Sequence, residues 1–162
     1  MKQINLLIMD VDGTLTDGKI YMGQNGEVLK AFYAKDGYGI KHLLPDLGIV
    51  PVILTGRNSS IVANRAKELG ITEIHQGVSD KLTRLKTIAA NFNASPTEIA
   101  YIGDDLNDLE CMQYCGLTAC PADAVDSIKA IVDYICPHDG GKGAVRDFAE
   151  YLQFRMSGGR TK

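Results

Sequence analysis

The sequence is poor in three features that each mark a class of function: long apolar runs, an excess of basic residues and closely spaced cysteines. The segment before Asp10 holds one lysine and six apolar residues, too few for the apolar region of a signal peptide or for a membrane span. The formal net charge of −3 gives no general attraction to nucleic acid or to an anionic membrane. We therefore expect a cytoplasmic protein whose partners include neither nucleic acid nor membrane.

Four cysteines lie in the last third of the chain, at Cys111, Cys115, Cys120 and Cys136. Without an export signal, reduced and buried thiols are more typical than a disulfide framework. A zinc site usually includes a tighter ligand pair such as Cys-x-x-Cys, which this sequence does not have. We therefore expect the four cysteines to be reduced, buried thiols and not disulfides or zinc ligands.

Strand and helix patterns alternate along most of the 162 residues. Apolar runs predict strands at about 4–9, 50–54, 73–76 and 99–102, with weaker candidates at 117–120 and 133–135. Helical patterns follow at about 36–44 (with Asp36 as N-cap), 58–69, 79–91, 106–115 and 144–154. This order predicts an α/β fold with a Rossmann-like parallel sheet and helices on both faces. We expect a single domain over 1–156 and a disordered tail over 157–162.

Two aspartates stand where the first strand ends. The apolar run Ile4–Met9 stops at Asp10-Val11-Asp12-Gly13-Thr14, as for a strand that is buried on both faces. Side chains two apart in an extended segment point the same way, so Asp10 and Asp12 can reach one crevice. Carboxylates this close repel each other unless they share a cation or a proton. The pair alone is compatible with a solvated turn, a metal site or an acid/base pair.

Polar residues also follow the other predicted strands. Thr55 ends the second strand, Asp104 and Asp105 follow the strand at 99–102, and Lys81 follows the short strand at 73–76. Because ligands bind beyond the carboxyl ends of parallel strands, we expect these side chains to meet at one edge of the sheet. The Thr55 hydroxyl and the Lys81 charge suit a phosphoryl group, whose transfer depends on positioning and on neutralising its oxygens.

These residue types predict phosphoryl transfer at a magnesium site. Asp10, the backbone carbonyl of Asp12 and Asp104 form a hard oxygen donor set of the kind that Mg²⁺ prefers. Asp10 can attack phosphorus to form an aspartyl-phosphate. Asp12 can protonate the departing alcohol and then activate the water that hydrolyses the intermediate. Asp105 and Asp108 are expected to orient Asp104 and Lys81 rather than to bind the ion themselves.

A hairpin and a glycine-rich segment complete the pattern. Asn25-Gly26 between two apolar segments predicts a β-hairpin at about 18–33, whose apolar surface needs a partner such as another subunit. The segment Gly140–Gly143 is either a simple turn or an anion-binding loop. The motif spacing leaves no room for a cap domain. We therefore expect hairpins to assemble an oligomer, and the segment through Lys142 and Arg146 to approach a neighbouring active site.

Together these motifs resemble the haloacid dehalogenase superfamily of phosphatases. The match runs in order through Asp10-x-Asp12-Gly13-Thr14, Thr55, Lys81 and Gly103-Asp104-Asp105 with Asp108. Nearly the whole chain is further similar to the branch that hydrolyses phosphorylated eight-carbon 2-keto-3-deoxy sugar acids, through segments such as Asp17-Gly18-x-Ile20-Tyr21, Lys30-Ala31-Phe32 and Asp36-Gly37-Tyr38-Gly39-Ile40. The resemblance implies a Mg²⁺-dependent step in the synthesis of a lipopolysaccharide precursor, and a homotetramer.

The resemblance also implies a set of substrate contacts, several of them basic. They fall at Asp12, Tyr33, Ala34, Lys35, Asp36, Gly37, Lys41, Arg57, Arg65 and Lys81. Basic residues are chemically sensible because the substrate carries both a carboxylate and a phosphate. Lys35 and Lys41 stand where arginine is expected in some members, and Tyr33 where a smaller polar residue occurs. Because lysine cannot form the bidentate contact that arginine makes, the sequence does not specify which sugar acid is bound.

Three other functions are compatible with parts of this pattern. The first keeps the chemistry but uses a nine-carbon keto acid phosphate of the sialic-acid type. The second is a non-catalytic, oligomerising regulatory domain, which would be marked by loss of Asp10, Asp12 or Lys81, all of which are present. The third is a phospho-receiver domain, but its acceptor aspartate lies on a later strand. The order of the motifs favours the phosphatase.

Overall fold

A computed structural model describes residues 3–158 of the chain and shows a six-stranded sheet in which every strand pair is parallel. The strand order is β5-β4-β1-β6-β7-β8. The strands of this sheet are β1 (Leu6–Met9), β4 (Val50–Leu54), β5 (Glu73–His75), β6 (Ile99–Ile102), β7 (Leu117–Cys120) and β8 (Tyr134–Ile135). This arrangement confirms the predicted α/β class.

The first strand lies near the centre of the sheet because it is apolar on both faces. Leu7 and Met9 belong to one hydrophobic core, and Leu6 and Ile8 belong to the other. β1 pairs with β4 on one side and with β6 on the other, with Met9 opposite Ile53 and Ile102. The carboxyl ends of these three strands therefore lie side by side.

Helices cover both faces of the sheet, as predicted. The α-helices are α1 (Ala34–Tyr38), α2 (Leu44–Asp46), α3 (Ser60–Leu69), α4 (Lys81–Asn91), α5 (Leu109–Tyr114), α6 (Asp126–Lys129) and α7 (Ala144–Met156). A π-helical turn (Gly39–Leu43) joins α1 to α2, and 3₁₀ turns occupy Pro96–Glu98 and Leu106–Asp108. The π-helical turn, α2, α3 and α7 contribute to the core on one face, and α4, α5 and α6 to the core on the other.

The predicted N-cap of the first helix is wrong. The cap position is Tyr33, and Asp36 lies in the first turn of α1. The Asp36 carboxylate instead accepts a hydrogen bond from the backbone N–H of Arg146, at 2.8 Å, near the start of α7. Because Asp36 is buried, it ties two helices together, a long-range contact that local capping preferences do not indicate.

A separate two-stranded hairpin follows the first strand, with β2 (Tyr21–Gly23) antiparallel to β3 (Gly26–Leu29). It confirms the hairpin predicted from Asn25-Gly26. Met22 and Val28 are each 62% exposed, which leaves an apolar surface without a partner in one copy of the described chain.

The described cysteines are all free, and three of them are buried. No helix within residues 3–158 is long and apolar enough to cross a membrane. Helix α7 ends at Met156, and the predicted disordered tail over 157–162 stays a prediction. Most of that tail, residues 159–162, lies outside the described residues.

Candidate active site

An open cleft lies beyond the carboxyl ends of β1, β4 and β6. Its volume is about 400 Å³. It is lined by Asp10, Asp12, Thr55, Gly56, Arg57, Asp104, Asp105, Leu106 and Asn107. The structure therefore brings together at one edge of the sheet the acidic and hydroxyl groups that the sequence places after three different strands.

Three carboxylates crowd the floor of this cleft. Asp10, Asp104 and Asp108 each offer an oxygen, and these oxygens lie within 4.8 Å of one another. Burial raises the pKa of Asp10 to about 6, and the charge of Asp108 adds to the effect. Burial and the charges of Asp10 and Asp108 raise the pKa of Asp104 to about 8. Such mutual repulsion is what a bound divalent cation would relieve.

Asp108 has its oxygens occupied by neighbours on the protein. Its Oδ1 accepts from Lys81 Nζ at 2.7 Å and from the Tyr101 hydroxyl at 2.6 Å, and its Oδ2 accepts from the backbone N–H of Asp104 at 3.1 Å. Asp105 caps the 3₁₀ turn by accepting from the backbone N–H of Leu106 at 2.7 Å. Both residues thus make the kind of contacts expected of orienting groups, although Asp108 is also close enough to be a ligand.

Lys81 bridges two of the acids. It is the first residue of α4, whose N-cap Asp80 accepts from the backbone N–H of Thr83 at 2.9 Å. Its Nζ lies 2.8 Å from Asp10 Oδ1 and 2.7 Å from Asp108 Oδ1. Although burial opposes its charge, these two partners hold the pKa of Lys81 above its ordinary value. The start of α4 therefore delivers a fixed positive charge to the cleft.

Gly13 allows the carboxylate of Asp104 to approach the loop after β1. A Cβ at position 13 would lie 2.0 Å from Asp104 Oδ2, and the backbone φ of Gly13 is +90°. Thr14 Oγ1 donates to Asp104 Oδ1 at 3.2 Å. The loop that carries Asp12 is therefore packed against Asp104, which follows β6, and a side chain at position 13 would separate the two.

The glycine-rich segment packs on this same loop within one chain. The backbone N–H of Gly141 donates to the carbonyl of Thr14 at 3.1 Å, and a Cβ at Gly140 would lie 1.9 Å from the Gly13 carbonyl oxygen. Lys142 pairs with Asp139 at 2.9 Å on the surface. The segment thus packs against the loop after β1, a role that its sequence did not indicate. Its predicted approach to a neighbouring subunit stays a prediction.

Two residues of the hairpin contact side chains that line the cleft, and sequence reasoning missed both. Lys30 forms ion pairs with Asp12 Oδ1 and, at 2.8 Å, with Glu27. Burial lowers the pKa of Lys30, but the two carboxylates outweigh that effect and leave it raised. Burial likewise opposes the charge of Glu27, whose pKa is nevertheless lowered by hydrogen bonds from Lys30 and Ser59. The sequence signal that could have indicated Lys30 is the segment Lys30-Ala31-Phe32, which is part of the family resemblance but was given no chemical role.

The remaining predicted substrate contacts lie away from the lining of this cleft. Asp36 is buried, and Gly37 packs closely against the guanidinium of Arg65. Arg65 pairs with Glu68 at 2.8 Å, and Lys41 Nζ donates to the Glu68 carbonyl at 3.2 Å. Within residues 3–158, Arg57 is the cleft-lining base of the predicted set, with its Nε 3.7 Å from Asp12 Oδ2. The members that the structure places apart from the cleft lining are Tyr33, Ala34, Lys35, Asp36, Gly37, Lys41 and Arg65. Lys81 is not part of the lining either, but its Nζ is bonded to the lining residue Asp10.

Comparison with known proteins extends this picture. Residues 70–148 match the haloacid dehalogenase-like hydrolase family. The 3-deoxy-D-manno-octulosonate 8-phosphate phosphatase of Escherichia coli K12 is 44% identical over 151 residues, which cover 93% of this chain and 80% of that protein.

Solved structures are also similar over most of the chain. The 3-deoxy-D-manno-octulosonate 8-phosphate phosphatase from Yersinia pestis is 42% identical with a TM-score of 0.91, covering 96% of this chain and 84% of that one. The enzyme from Moraxella catarrhalis, solved with a magnesium ion, a phosphate ion and a KDO molecule, is 43% identical with a TM-score of 0.88, covering 92% of this chain and 85% of that one.

Proposed function

The chain belongs to the haloacid dehalogenase-like hydrolases, among their 3-deoxy-D-manno-octulosonate 8-phosphate phosphatases, and we propose that it hydrolyses that sugar-acid phosphate through an aspartyl-phosphate on Asp10. The observation that carries this proposal is the position of Asp10, which is buried beside Lys81 and Asp104 at the floor of the cleft. A carboxylate fixed in this way is suited to nucleophilic attack on phosphorus.

Magnesium is the cofactor of this chemistry, and the donor set of the cleft fits it. Asp10, the backbone carbonyl of Asp12 and Asp104 would hold the ion, since Asp108 already accepts hydrogen bonds from Lys81 and from the protein backbone. When bound, Mg²⁺ offsets the negative charge that builds up on the phosphoryl oxygens. Burial, together with the charges of neighbouring acids, raises the pKa of Asp10 to about 6 and that of Asp104 to about 8, and a bound cation would oppose both shifts.

Side chains of the protein carry out the attack on phosphorus, the proton transfers and the binding of the phosphoryl oxygens. Lys81 Nζ engages Oδ1 of Asp10, which leaves Oδ2 of Asp10 for attack. As the bond from phosphorus to the sugar oxygen breaks, Asp12 gives its proton to that oxygen. Asp12 then takes a proton from the water that attacks phosphorus and releases phosphate from Asp10. Thr55, at the end of β4, and Lys81 are placed to hold the phosphoryl oxygens.

We also propose which residues contact the carboxylate of the substrate and how the copies of the chain assemble. The basic residues Lys35, Lys41 and Arg65, which lie apart from the cleft lining in one copy of the chain, are proposed to contact the sugar acid together with Arg57. The exposed apolar hairpin supports a homo-oligomer in which a neighbouring copy covers the open cleft, and the family resemblance implies that this oligomer is a tetramer. We further propose that residues 1–156 act as a single domain and that the protein works in the cytoplasm, where its free, mostly buried thiols stay reduced.

Phosphate release provides the direct test. We would measure it with Mg²⁺ on 3-deoxy-D-manno-octulosonate 8-phosphate and on a nine-carbon keto acid phosphate, for the native protein, Asp10→Asn and the control Asp126→Asn, whose side chain is fully exposed. We expect Mg²⁺-dependent turnover of the eight-carbon substrate that only Asp10→Asn abolishes. Preference for the nine-carbon ester would change the substrate, and turnover by Asp10→Asn would exclude Asp10 as the nucleophile.

A further inference from the structure

The ammonium group of Lys30 is buried at the point where the hairpin meets the cleft. Its side chain is 1% exposed, whereas the preceding residues Val28 and Leu29 are exposed. A buried ammonium is costly unless it is paired, and Lys30 has two partners, Asp12 and Glu27. This pairing brings a residue of the hairpin into contact with the proposed acid/base of the reaction.

The two carboxylate oxygens of Asp12 have different surroundings. Oδ1 accepts the bond from Lys30 Nζ. Oδ2 lies 3.7 Å from Nε of Arg57, which lines the cleft. An oxygen engaged by a buried ammonium is poorly placed to exchange a proton with a ligand, so the two oxygens are not equivalent.

Glu27 holds this arrangement together from the other side. Its Oε1 lies 2.8 Å from Lys30 Nζ and 3.5 Å from Arg57 Nη2, and its Oε2 accepts a bond from Ser59 Oγ at 2.5 Å. Glu27 thus ties the hairpin to the segment that follows β4. Because one acid contacts both bases, the position of each base beside Asp12 depends on the hairpin.

We propose that Lys30 is a positioning residue that holds Oδ1 of Asp12, so that Oδ2 is the oxygen that gives its proton to the leaving alcohol and later takes one from water. Glu27 supports Lys30 in this role. The proposal rests on the proposed function, because it assigns Asp12 as the acid/base. It also makes the hairpin part of the catalytic apparatus as well as an assembly surface.

The dependence of rate on the leaving group tests this role. An alkyl ester needs a proton on its departing oxygen, whereas p-nitrophenolate leaves without one. We would measure alcohol release in the first turnover, by rapid quench for the sugar-acid phosphate and by absorbance for p-nitrophenyl phosphate. For Lys30→Met we expect release from the sugar ester to fall by about 10²-fold, the low end of what general acid catalysis contributes, and release from the aryl ester by less than about threefold.

Two further variants keep the test decisive. Lys19→Met, which removes an exposed lysine near the same hairpin, should leave both rates unchanged. Glu27→Gln should lower the rate of alcohol release from the sugar ester by about tenfold and leave release from the aryl ester unchanged. If thermal unfolding shows that Lys30→Met does not fold, Glu27→Gln provides the test of the positioning role in its place. An equal loss on both esters, or no loss on either, would overturn the positioning role.

Failure of the proposed function would look different. If the native protein released no alcohol from the sugar-acid phosphate but cleaved the aryl ester, the substrate assignment would fail. Simple alkyl phosphates would then take the place of the sugar ester in the comparison. If Asp10→Asn released p-nitrophenolate as fast as the native protein, the nucleophile, and with it the acid/base assignment of Asp12, would be wrong.

Discussion

Replacing Gly13 by alanine should damage catalysis far more than stability. The added Cβ would lie 2.0 Å from Asp104 Oδ2, so this carboxylate must shift by more than 1 Å to reach an ordinary contact of 3.4 Å. A displacement of about 1 Å in a reacting arrangement can cost about 10²-fold in rate. We therefore expect kcat to fall by about 10²-fold and the Mg²⁺ concentration for half-maximal activity to rise, since Asp104 is a proposed ligand.

The backbone strain of the same change can be measured separately. Alanine at φ +90° costs roughly 1–2 kcal/mol, which for a chain of this size lowers the melting temperature by about 2–8 °C. Gly70→Ala is the matched control, because Gly70 has φ +74° and nothing within 4 Å of an added Cβ. It should lose similar stability and keep its activity. The reasoning fails if Gly13→Ala retains kcat within about threefold of Gly70→Ala in a phosphate-release assay.

Three other perturbations test separate parts of the structure. Tyr101→Phe removes the 2.6 Å hydrogen bond to Asp108, so urea unfolding should show that the free energy of unfolding falls by about 1–3 kcal/mol. We expect kcat to fall by at most about tenfold, because Lys81 still holds Asp108. An unchanged free energy of unfolding would contradict this. Burial raises the pKa of Asp36 to about 6, so the folded state keeps a proton that the unfolded chain releases near pH 4. The free energy of unfolding should therefore fall as pH rises from about 4 to about 6, and calorimetry should find a weaker fall in Asp36→Asn; equal slopes would refute the assignment. Val28→Lys, at an exposed hairpin position, should abolish self-association in light scattering with less than about 0.5 kcal/mol change in the stability of one copy; an unchanged mass would show that the hairpin is not the interface.

The central part of the fold and of the cleft could be predicted from the sequence. Apolar runs, glycine turns and the alternation of strands with helices are local signals, and they located the strand after which Asp10 and Asp12 stand. Because parallel strands share one carboxyl edge, the same signals predicted that Thr55 and Asp104 would lie nearby, as they do in the cleft. Sequence order was sufficient here because the topology of a parallel sheet leaves few alternatives.

Tertiary structure alone decided which distant groups meet. Lys30 lies 18 residues from Asp12, and Asp36 accepts a bond from a residue 110 positions away, so neither pairing has a local signature. The close approach of Gly140 to the Gly13 carbonyl likewise depends on the packing of the segment before α7 against the loop after β1. A residue's neighbours along the chain determine its backbone conformation, whereas burial against remote elements determines its charge partner and its freedom to move.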